Sequence, residues 1–401
     1  MNINRLFQLV CTAVVAAFIV ASCGKEKGGD SETVARVSLS SERIICETTE
    51  GYITTEGPAQ LEYTAYISQG SDWVSFKKSS EVSTATGKVG RPIFYYMKAN
   101  TTDTDRQAVF DIEYSDGQSF RLRLTQLAYS VSATYDVHTW AELPAYRSNS
   151  DYVYKTYYTT LSGEQTKKRN YSICFDTKRR VSHWVAYPMH TCYTLPSVKR
   201  QDTWAYDPNE YLPRIEQSQQ QHITQTYGTG HARGHMLPSA SRYSTVATND
   251  QTFYATNMMP QNNDFNGGVW ATLEGKVRDC MTSDTLYVVT GTYFGDGKTI
   301  TDRLDKTIAV PSHAYKVLLR ARSRIPSGKT IADLSASELI SIGFWMPNPD
   351  VNAKSTATIE GSVMSVAEIE AITGFEYFRM LPASVAAEVK KQKNLKDWSG
   401  F

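Results

Sequence analysis

Two polar residues about thirty positions apart are of the types that hydrolyse a phosphodiester. His235, in Arg-Gly-His, is a candidate general base because an imidazole accepts a proton near neutral pH without a large pKa shift. Asn266, in Phe-Asn-Gly-Gly-Val-Trp, offers one neutral oxygen, which suits a hard cation that keeps several waters. Hydrolysis needs an activated water and neutralisation of charge on the phosphoryl oxygens and the leaving group. These two side chains and one Mg²⁺ ion, or Mn²⁺ in its place, could supply both.

The residues after Asn266 predict the helix that would carry it, from about Asn266 to Cys280. Glu274 lies eight residues after Asn266, a little over two turns, so both side chains can face one site. Asn266 could instead cap the helix, although Asp264 competes for that role. Arg278 could form an ordinary i,i+4 ion pair with Glu274 or contact phosphate. Three apolar residues recur at helical spacing and form a stripe that packs on a sheet: Trp270, Leu273 and Val277.

The sheet that must support this helix is predicted from apolar, β-branched and aromatic runs in the back half of the chain. A second helix is predicted by the capping box that Ser365 and Glu368 would form. Strands and helices intermix without a regular βαβ alternation, so we expect an α+β domain, residues 140–401, on an antiparallel sheet. The clearest predicted strands are Tyr171–Phe175, Ser182–Tyr187, Leu286–Gly291 and Ala314–Leu319.

The front region, residues 34–130, consists of short strand patterns separated by turns, without the 3.6-residue period of a long helix. Ser115-Asp116-Gly117 predicts a hairpin turn between two alternating strands. This pattern predicts a small all-β antiparallel sandwich. The clearest strands are Phe94–Ala99, Ala108–Tyr114 and Phe120–Leu124.

The first 22 residues have the pattern of a bacterial lipoprotein signal peptide. A short polar start precedes an apolar run, and Val20-Ala21-Ser22-Cys23 fits the lipobox cut by lipoprotein signal peptidase. The mature chain would begin at acylated Cys23 and reach its first domain through a flexible tether, residues 23–33. The apolar run is too short for a transmembrane anchor, and we find no other segment that could span a bilayer.

Length and composition are consistent with two exported domains. The roughly 375 residues after the leader suggest two domains. The formal net charge is +1, but residues 24–140 and 141–401 carry about −4 and +4. A mildly basic back half suits a polyanionic substrate. Besides Cys23, four cysteines remain in the mature chain, and their three possible disulfide pairings stay open: Cys46, Cys174, Cys192 and Cys280.

The back region, residues 140–401, resembles the DNA/RNA non-specific endonucleases, the ββα-metal or His-Me finger group. The resemblance rests on Arg-Gly-His followed by Asn-x-x-Pro-Gln-x-x-x-x-Asn, and on several flanking segments. It implies an antiparallel sheet carrying the ββα unit, and a Mg²⁺-dependent cleavage of DNA and RNA that leaves 5′-phosphate ends. The flanking segments are Trp184–Tyr187, Arg200, Phe265–Trp270, Leu273-Glu274, Val288–Gly291 and Ile308–Pro311.

The same resemblance implies roles for individual residues. His235 would be the general base, Asn266 the metal ligand, and Glu274 the group that holds metal-bound water. Arg200 would stabilise charge in the transition state. Asn257 would support the metal shell or bind phosphate, unless it serves only in a turn. Two further arginines would bind substrate phosphate: Arg233 and Arg278.

One position departs from the family pattern. The family usually has Asp before Arg-Gly-His, whereas this chain has Ala232, preceded by His231. A missing carboxylate could leave Arg233 less well oriented and lower the activity or alter its pH dependence. We expect His231 to be a loop residue and not a substitute base.

The front region also resembles BACON-type domains, which are β-sandwich modules of exported bacterial proteins. This resemblance implies a spacer that holds the enzyme off the membrane, or a glycan-binding module. Trp73 would bind sugar in the second case, although core packing is its simpler interpretation. The residues that carry the resemblance are Trp73-Val74, Asn100, Arg106, Asp116-Gly117 and Gln126.

Two other functions stay open at this stage. The first is a non-catalytic surface lipoprotein that binds glycan through its sandwich domain, and Ala232 is its only support. The second is a phosphoesterase that uses the same centre on a small substrate. Gly24 after the lipidated cysteine favours an outer-membrane location, facing either the periplasm or the cell surface.

Overall fold

The computed structural model describes residues 35–46, 48–102, 104–128, 135, 138–208 and 212–401. The predicted signal peptide, Cys23 and the tether therefore lie outside the described residues. Within the described ranges, no helix has both the length and the apolar character needed to cross a bilayer.

The front region folds into two sheets that enclose one core. One sheet has the order β1-β3-β7-β5 and the other β2-β9-β8-β4-β6. Tyr95 of the first sheet meets Phe110 of the second with ring centroids 4.9 Å apart, which joins the two inner faces. The strands are β1 Arg36–Leu39, β2 Arg43–Ile44, β3 Glu50–Glu56, β4 Glu62–Gln69, β5 Val74–Ser75, β6 Thr84–Lys88, β7 Ile93–Met97, β8 Arg106–Tyr114 and β9 Ser119–Gln126.

This arrangement confirms the predicted β-sandwich. The alternating residues of β8 and β9 pair in antiparallel register across the predicted turn, where Gly117 adopts a φ of 90° that favours glycine. Trp73 is 6% exposed and belongs to the sandwich core. The core interpretation of Trp73 is therefore confirmed.

The back region is built on a seven-stranded sheet whose pairings are all antiparallel. Its order is β10-β11-β12-β15-β18-β19-β20, with separate two-stranded pairs β13-β14 and β16-β17. The strands are β10 Tyr152–Thr159, β11 Lys168–Asp176, β12 Val181–Met189, β13 His231–His235, β14 Met258–Asn262, β15 Leu286–Tyr293, β16 Thr299–Thr301, β17 Thr307–Ala309, β18 His313–Ala321, β19 Leu339–Pro347 and β20 Val363–Met364.

Short helices cover both faces of this sheet and the loops between strands. The α-helices of the described ranges are α1 Thr191–Thr194, α2 Val246–Asp250, α3 Asn263–Phe265, α4 Ala271–Asp279, α5 Val366–Thr373 and α6 Ala383–Val389. A π-helical turn, Asn266–Trp270, joins α3 to α4. The 3-10 turns are Gln217–Gln219, Ser239–Ser241, Gln251–Phe253, Ala255–Asn257, Ile331–Asp333, Ala336–Glu338, Glu360–Ser362 and Leu395–Asp397.

The central sheet separates two apolar cores. Trp270, Leu273 and Val277 pack with one face of the sheet, and helices α5 and α6 pack on the other. The predicted α+β organisation is therefore confirmed, as are the predicted strands within β11, β12, β15 and β18. The capping box also forms, because Ser365 accepts from the Glu368 backbone N–H and the Glu368 carboxylate accepts from Ser365.

Candidate active site

A β-hairpin and the helix behind it position the two residues that the sequence singled out first. Strand β13 pairs with β14 so that His235 lies opposite Met258 and Arg233 opposite Pro260. Strand β14 leads directly into α3 at Asn263. The backbone between the strands is close-packed, because a Cβ at Gly234 would overlap the Gln261 side chain. The result is a ββα unit that carries His235 on its first strand and Asn266 on its helix.

The helix begins earlier than the sequence indicated. Asn262 is the N-cap, and its side chain accepts from the backbone N–H of Phe265 at 2.9 Å. The prediction that Asp264 or Asn266 caps the helix was wrong. Asp264 instead accepts from Lys354 and from the Ser355 backbone.

Asn266 opens the π-helical turn and keeps its side chain available. Gly268 departs from helical geometry within that turn, with φ −102° and ψ −112°. Turns of this kind within helices are frequent at functional sites. Asn266 is partly exposed, and none of the hydrogen bonds within the described ranges engages its carboxamide. The Asn266 oxygen is therefore free to bind an external group.

His235 lies between two aromatic rings. Trp204 and Phe253 have ring centroids 5.4 Å and 5.0 Å from the imidazole, and Phe253 meets it edge to face. The His235 Nε2 atom is buried and has no hydrogen-bond partner in the described part of the chain. Burial, with the charges of Arg200 and Arg233, lowers the pKa of His235 to about 3. The expectation of a small pKa shift was wrong, since packing and two guanidinium groups disfavour the imidazolium form.

The two arginines beside His235 are held in place by different contacts. The Arg233 guanidinium stacks 3.6 Å from the Trp204 ring centroid and donates to the Ile223 carbonyl at 2.7 Å. Arg200 donates to Asp202 at 2.8 Å, and its side chain is 44% exposed. Arg233 is thus oriented by an indole and a carbonyl in this chain, although Ala232 replaces the usual carboxylate. Both guanidinium groups keep donors that a phosphate could use.

A second group of charges surrounds Glu274 on α4. Burial raises the pKa of Glu274, while the charges of Lys316, Arg278 and Arg200 oppose that shift. The Arg278 Nη1 atom is buried without a hydrogen-bond partner among the described residues. Arg200 acts on both His235 and Glu274, so the strand and helix sides of the site converge on it. The i,i+4 ion pair, which was the alternative to phosphate contact for Arg278, does not form between Glu274 and Arg278 within the described ranges.

Asn257 does not face this pocket. It is fully buried, and its Nδ2 donates to the carbonyls of Leu237 and Thr252 at 3.0 Å and 2.7 Å. Its Oδ1 accepts from the Leu237 N–H at 2.8 Å. The predicted catalytic role is therefore corrected to a structural one. Asn257 fixes the chain that leaves the β13 strand just after His235.

Three contributors to the site were missed in the sequence. Trp204 and Phe253 pack against the imidazole. Lys316 interacts electrostatically with Glu274 and has its Nζ 4.6 Å from the Trp270 ring centroid. No local motif marks the two aromatic residues, because they approach His235 from separate loops. The sequence did contain a signal for Lys316, since a single charged residue in the middle of an apolar strand pattern requires a buried polar partner.

The donors at this site suit one hard cation held by few protein atoms. No cluster of three or more His, Cys, Asp or Glu side chains able to hold a metal occurs in the described ranges. A neutral amide oxygen such as that of Asn266, completed by waters and phosphate oxygens, fits the octahedral preference of Mg²⁺. Glu274 lies on the regular helix that follows the kink at Gly268, so it belongs to the same unit as Asn266.

The sequence of the back region matches an established family. A family model described as DNA/RNA non-specific endonuclease covers residues 148–384, more than half of the chain. The chain therefore belongs to the DNA/RNA non-specific endonuclease family, whose members are hydrolases that generally depend on a divalent metal. The resemblance found in the sequence motifs is confirmed for this region.

Relatives with nuclease names match the same part of the chain. The "Nuclease" of Nostoc sp. is 27% identical over 231 residues, which cover 56% of this chain and 77% of the relative. "Nuclease C1" of Cunninghamella echinulata is 29% identical over 234 residues, covering 56% and 86%. "Nuclease EXOG, mitochondrial" of Homo sapiens is 28% identical over 220 residues, covering 52% and 55%. A chain in a crystal structure of the EndoG/EndoGI complex covers 63% of this chain and 94% of its own length, at 23% identity and a TM-score of 0.43.

Proposed function

We propose that this endonuclease hydrolyses phosphodiester bonds of both DNA and RNA with little sequence preference, and that His235 is its general base. The observation that carries the proposal is the buried, unpartnered Nε2 of His235, packed between two aromatic rings and within the electrostatic influence of Arg200 and Arg233. A buried polar atom without a partner carries a free-energy cost, and active sites are where such costs are retained. A neutral imidazole with a ring nitrogen left unpaired by the protein could accept the proton of an attacking water.

The electrostatics supply the base in its reactive form. With a pKa of about 3 in the free enzyme, His235 is neutral at physiological pH and can accept a proton. A phosphodiester bound at Arg200 and Arg233 would neutralise part of the positive potential at the ring. The pKa of His235 would then rise toward its ordinary value, which strengthens the base only when substrate is present.

The remaining residues bind and orient the phosphate. The guanidinium groups of Arg200, Arg233 and Arg278 neutralise the phosphoryl oxygens, and their forked donors fix the phosphate in position. Asn266 would hold Mg²⁺, or Mn²⁺ in its place, and Glu274 would orient water beside it. A divalent cation bound there would polarise the phosphate and stabilise the departing 3′-oxygen. Cleavage in this orientation leaves a 5′-phosphate.

The structure of the site supports low sequence selectivity. Its charged groups are suited to phosphate oxygens, which carry no base information. The site is formed by a hairpin, a short helix and loops, without a long basic helix of the kind that reads base edges among the described residues. We therefore expect similar rates on DNA and RNA.

A digestion assay on the purified full-length protein tests this function. Supercoiled plasmid and a structured RNA are incubated with Mg²⁺, with and without EDTA, and the product ends are identified by end labelling. We expect wild-type cleavage to require the cation and to leave 5′-phosphates. His235→Ala should cleave about 10²–10⁴-fold more slowly, whereas His231→Ala on the same strand should cleave normally. A His235→Ala protein as fast as wild type would overturn the mechanism.

Cleavage of bis-p-nitrophenyl phosphate without cleavage of either polymer would favour the small-substrate phosphoesterase. Failure to cleave any phosphodiester, together with retention on a glycan array, would favour the non-catalytic lipoprotein. The surface available to sugar in that case is an exposed aromatic pair of the sandwich. Tyr52 and Phe94 are 45% and 55% exposed, with ring centroids 6.2 Å apart.

For its location we propose an outer-membrane lipoprotein anchored through Cys23, with the sandwich domain as a spacer. The support is the lipobox pattern and Gly24 after the cysteine. Labelling with a fatty-acid analogue should be lost in Cys23→Ala, which would also release the enzyme from membranes. Digestion by protease added to intact cells would show the surface face, and resistance would show the periplasmic face.

A further inference from the structure

Lys316 is a charged residue in the interior of the central sheet. It lies in β18, paired with Thr290 of β15 on one side and Phe344 of β19 on the other, and it is fully buried. Its Nζ donates to the Thr290 Oγ1 at 2.7 Å and lies 4.6 Å from the Trp270 ring centroid. The ammonium group therefore points toward the helix that carries Asn266 and Glu274.

These contacts do not satisfy a buried ammonium group. An ammonium has three donors, and within the described ranges only the Thr290 hydroxyl accepts from Lys316. Burial of a cation is costly unless an opposite charge lies near it. The opposite charge here is Glu274, which interacts with Lys316 although no carboxylate oxygen lies within 4.0 Å of the Nζ.

A second buried lysine of the same domain shows what a directly paired lysine looks like. Lys155 in β10 forms an ion pair with Asp207 at 2.6 Å, and both side chains are 0% exposed. That pair places the two opposite charges in direct contact and ties a loop to the sheet. Lys316 differs because its counter-charge is held apart from it, on a helix that faces the site.

We propose that Lys316 is a positioning residue of the nuclease site: held by Thr290 and directed at Trp270, which precedes the Glu274 helix, its ammonium group supplies the counter-charge that orients the Glu274 carboxylate toward the site. This inference deepens the proposed function and rests on it. Without Lys316, the remaining cations that act on Glu274 are Arg278 and Arg200, which the substrate phosphate also needs. Lys316 itself need not touch the substrate.

Kinetics of Lys316→Met in the full-length enzyme test this role. Residues that support a functional group from behind typically contribute 10–100-fold, so we expect kcat to fall by about that factor with KM changed less than threefold. Lys316→Arg should recover part of the loss because it keeps the charge. In a Glu274→Gln background, Lys316→Met should cost nothing further, because the two residues act as one unit.

The pH profile and the unfolding midpoint separate positioning from simple packing. Loss of the ammonium should move the acid limb of kcat to higher pH, because burial then disfavours the carboxylate more strongly. Four charged or titratable groups act on Glu274 or are acted on by it. They are Lys316 from β18, Arg278 from α4, Arg200 from the loop after α1, and Tyr187 from β12. Thermal stability should fall only slightly, because Lys316 makes no direct ion pair and Glu274 can take up a proton once the ammonium group is gone. The matched Lys155→Met should lower the midpoint of thermal unfolding, since it removes the ion-pair partner of the buried Asp207.

Each outcome decides between the possibilities. A kcat of Lys316→Met equal to wild type, with His235→Ala inactive, would overturn this inference and leave the proposed function standing. Equal relative losses in the Glu274→Gln and wild-type backgrounds would also overturn it. If Lys316→Met does not fold, Thr290→Val carries the test, and a kcat equal to wild type would overturn the inference. A wild-type enzyme without cation-dependent cleavage would instead contradict the proposed function.

Discussion

Two fully buried glutamines, one in each region of the molecule, differ in whether their amides are paired. In the sandwich, the buried Gln126 donates to the carbonyls of Cys46 and Thr48 at 3.0 Å each and accepts from Arg106 at 2.9 Å. In the nuclease region, Gln261 is equally buried, but neither of its amide atoms has a partner among the described residues. We call the Gln126 network closed, because both polar atoms of its amide have partners, and the Gln261 network open, because neither atom has one.

The difference distinguishes buried polar groups that stabilise the fold from buried polar groups that are available to a ligand. A paired buried amide stabilises the fold by joining segments that are distant in sequence. An unpaired one costs about 1–3 kcal/mol, so its presence needs a reason outside the fold. The unpaired atoms of Gln261, His235 and Arg278 all belong to the ββα unit, which is where a phosphate, a cation and water would supply the missing partners.

The largest effect is expected from a substitution among the unpaired polar groups of the nuclease site. Asn266→Ala removes the one free carboxamide at the π-turn, so we expect about a 10²–10³-fold loss of kcat, comparable to the removal of one positioned charge-stabilising group. Its unfolding midpoint should match wild type, because no protein partner is lost. Cleavage rates over a Mg²⁺ titration measure the effect. A rate equal to wild type at every Mg²⁺ concentration would remove Asn266 from the site.

The second prediction compares two buried imidazoles. His138 lies at the junction, stacked on Trp140 with centroids 3.8 Å apart, and burial, Arg379 and Arg169 lower its pKa from 6.5 to about 4. The unfolded state then binds a proton that the folded state does not between these values. The contribution of His138 to the free energy of unfolding is therefore fully present above about pH 6.5. It is lost as the pH falls toward 4, by about 3 kcal/mol at most.

Denaturant unfolding between pH 4 and 7.5 measures this contribution. A His138→Phe variant should lose part of the acid destabilisation, because it has no proton to bind. His235→Ala should also reduce it, since the pKa of His235 is lowered in the same direction, but only that variant should lose cleavage activity. An unchanged pH dependence in His138→Phe would show that the imidazole is protonated in the folded protein.

The third prediction tests the closed network directly. Gln126→Met deletes four hydrogen bonds and leaves the Arg106 guanidinium and the carbonyls of Cys46, Thr48 and Lys98 without this partner, so we expect a loss of about 2–3 kcal/mol in the free energy of unfolding. Activity per folded molecule should not change. A cleavage defect that persists in the folded fraction would show that the sandwich takes part in catalysis.

The smallest effect is expected at the open network. Gln261→Met keeps the side-chain length but removes an amide that has no protein partner, so unfolding should change by less than about 1 kcal/mol. Chemical denaturation beside Gln126→Met provides the matched comparison. A loss as large as that of Gln126→Met would mean that Gln261 is a structural amide.

The sequence predicted what local patterns determine. Alternation in β8 and β9, the capping box of α5 and the apolar stripe of α4 depend on neighbouring residues and were predicted correctly. The Arg-Gly-His and Asn motifs located the ββα unit for the same reason. The start of the helix was misplaced because several polar residues precede it, and only the folded turn shows that Asn262 makes the cap.

The electrostatics of the site could not be predicted in the same way. The pKa of His235 depends on Trp204 and Phe253, which arrive from separate loops, and on two arginines. Asn257 was given a catalytic role because its motif is close to the site, but three backbone partners from other turns occupy its amide. Such properties arise from long-range packing, which local spacing does not encode.

Chemical rescue of His235→Ala tests the central claim most directly. Removal of the imidazole leaves the arginines and Asn266 in place, so free imidazole in solution should restore plasmid cleavage in proportion to its concentration and only with Mg²⁺ present. The same imidazole should not restore Glu274→Gln, whose base is intact. Absence of rescue in a folded His235→Ala protein, or activity without any imidazole at the wild-type rate, would contradict the role of His235 as the base.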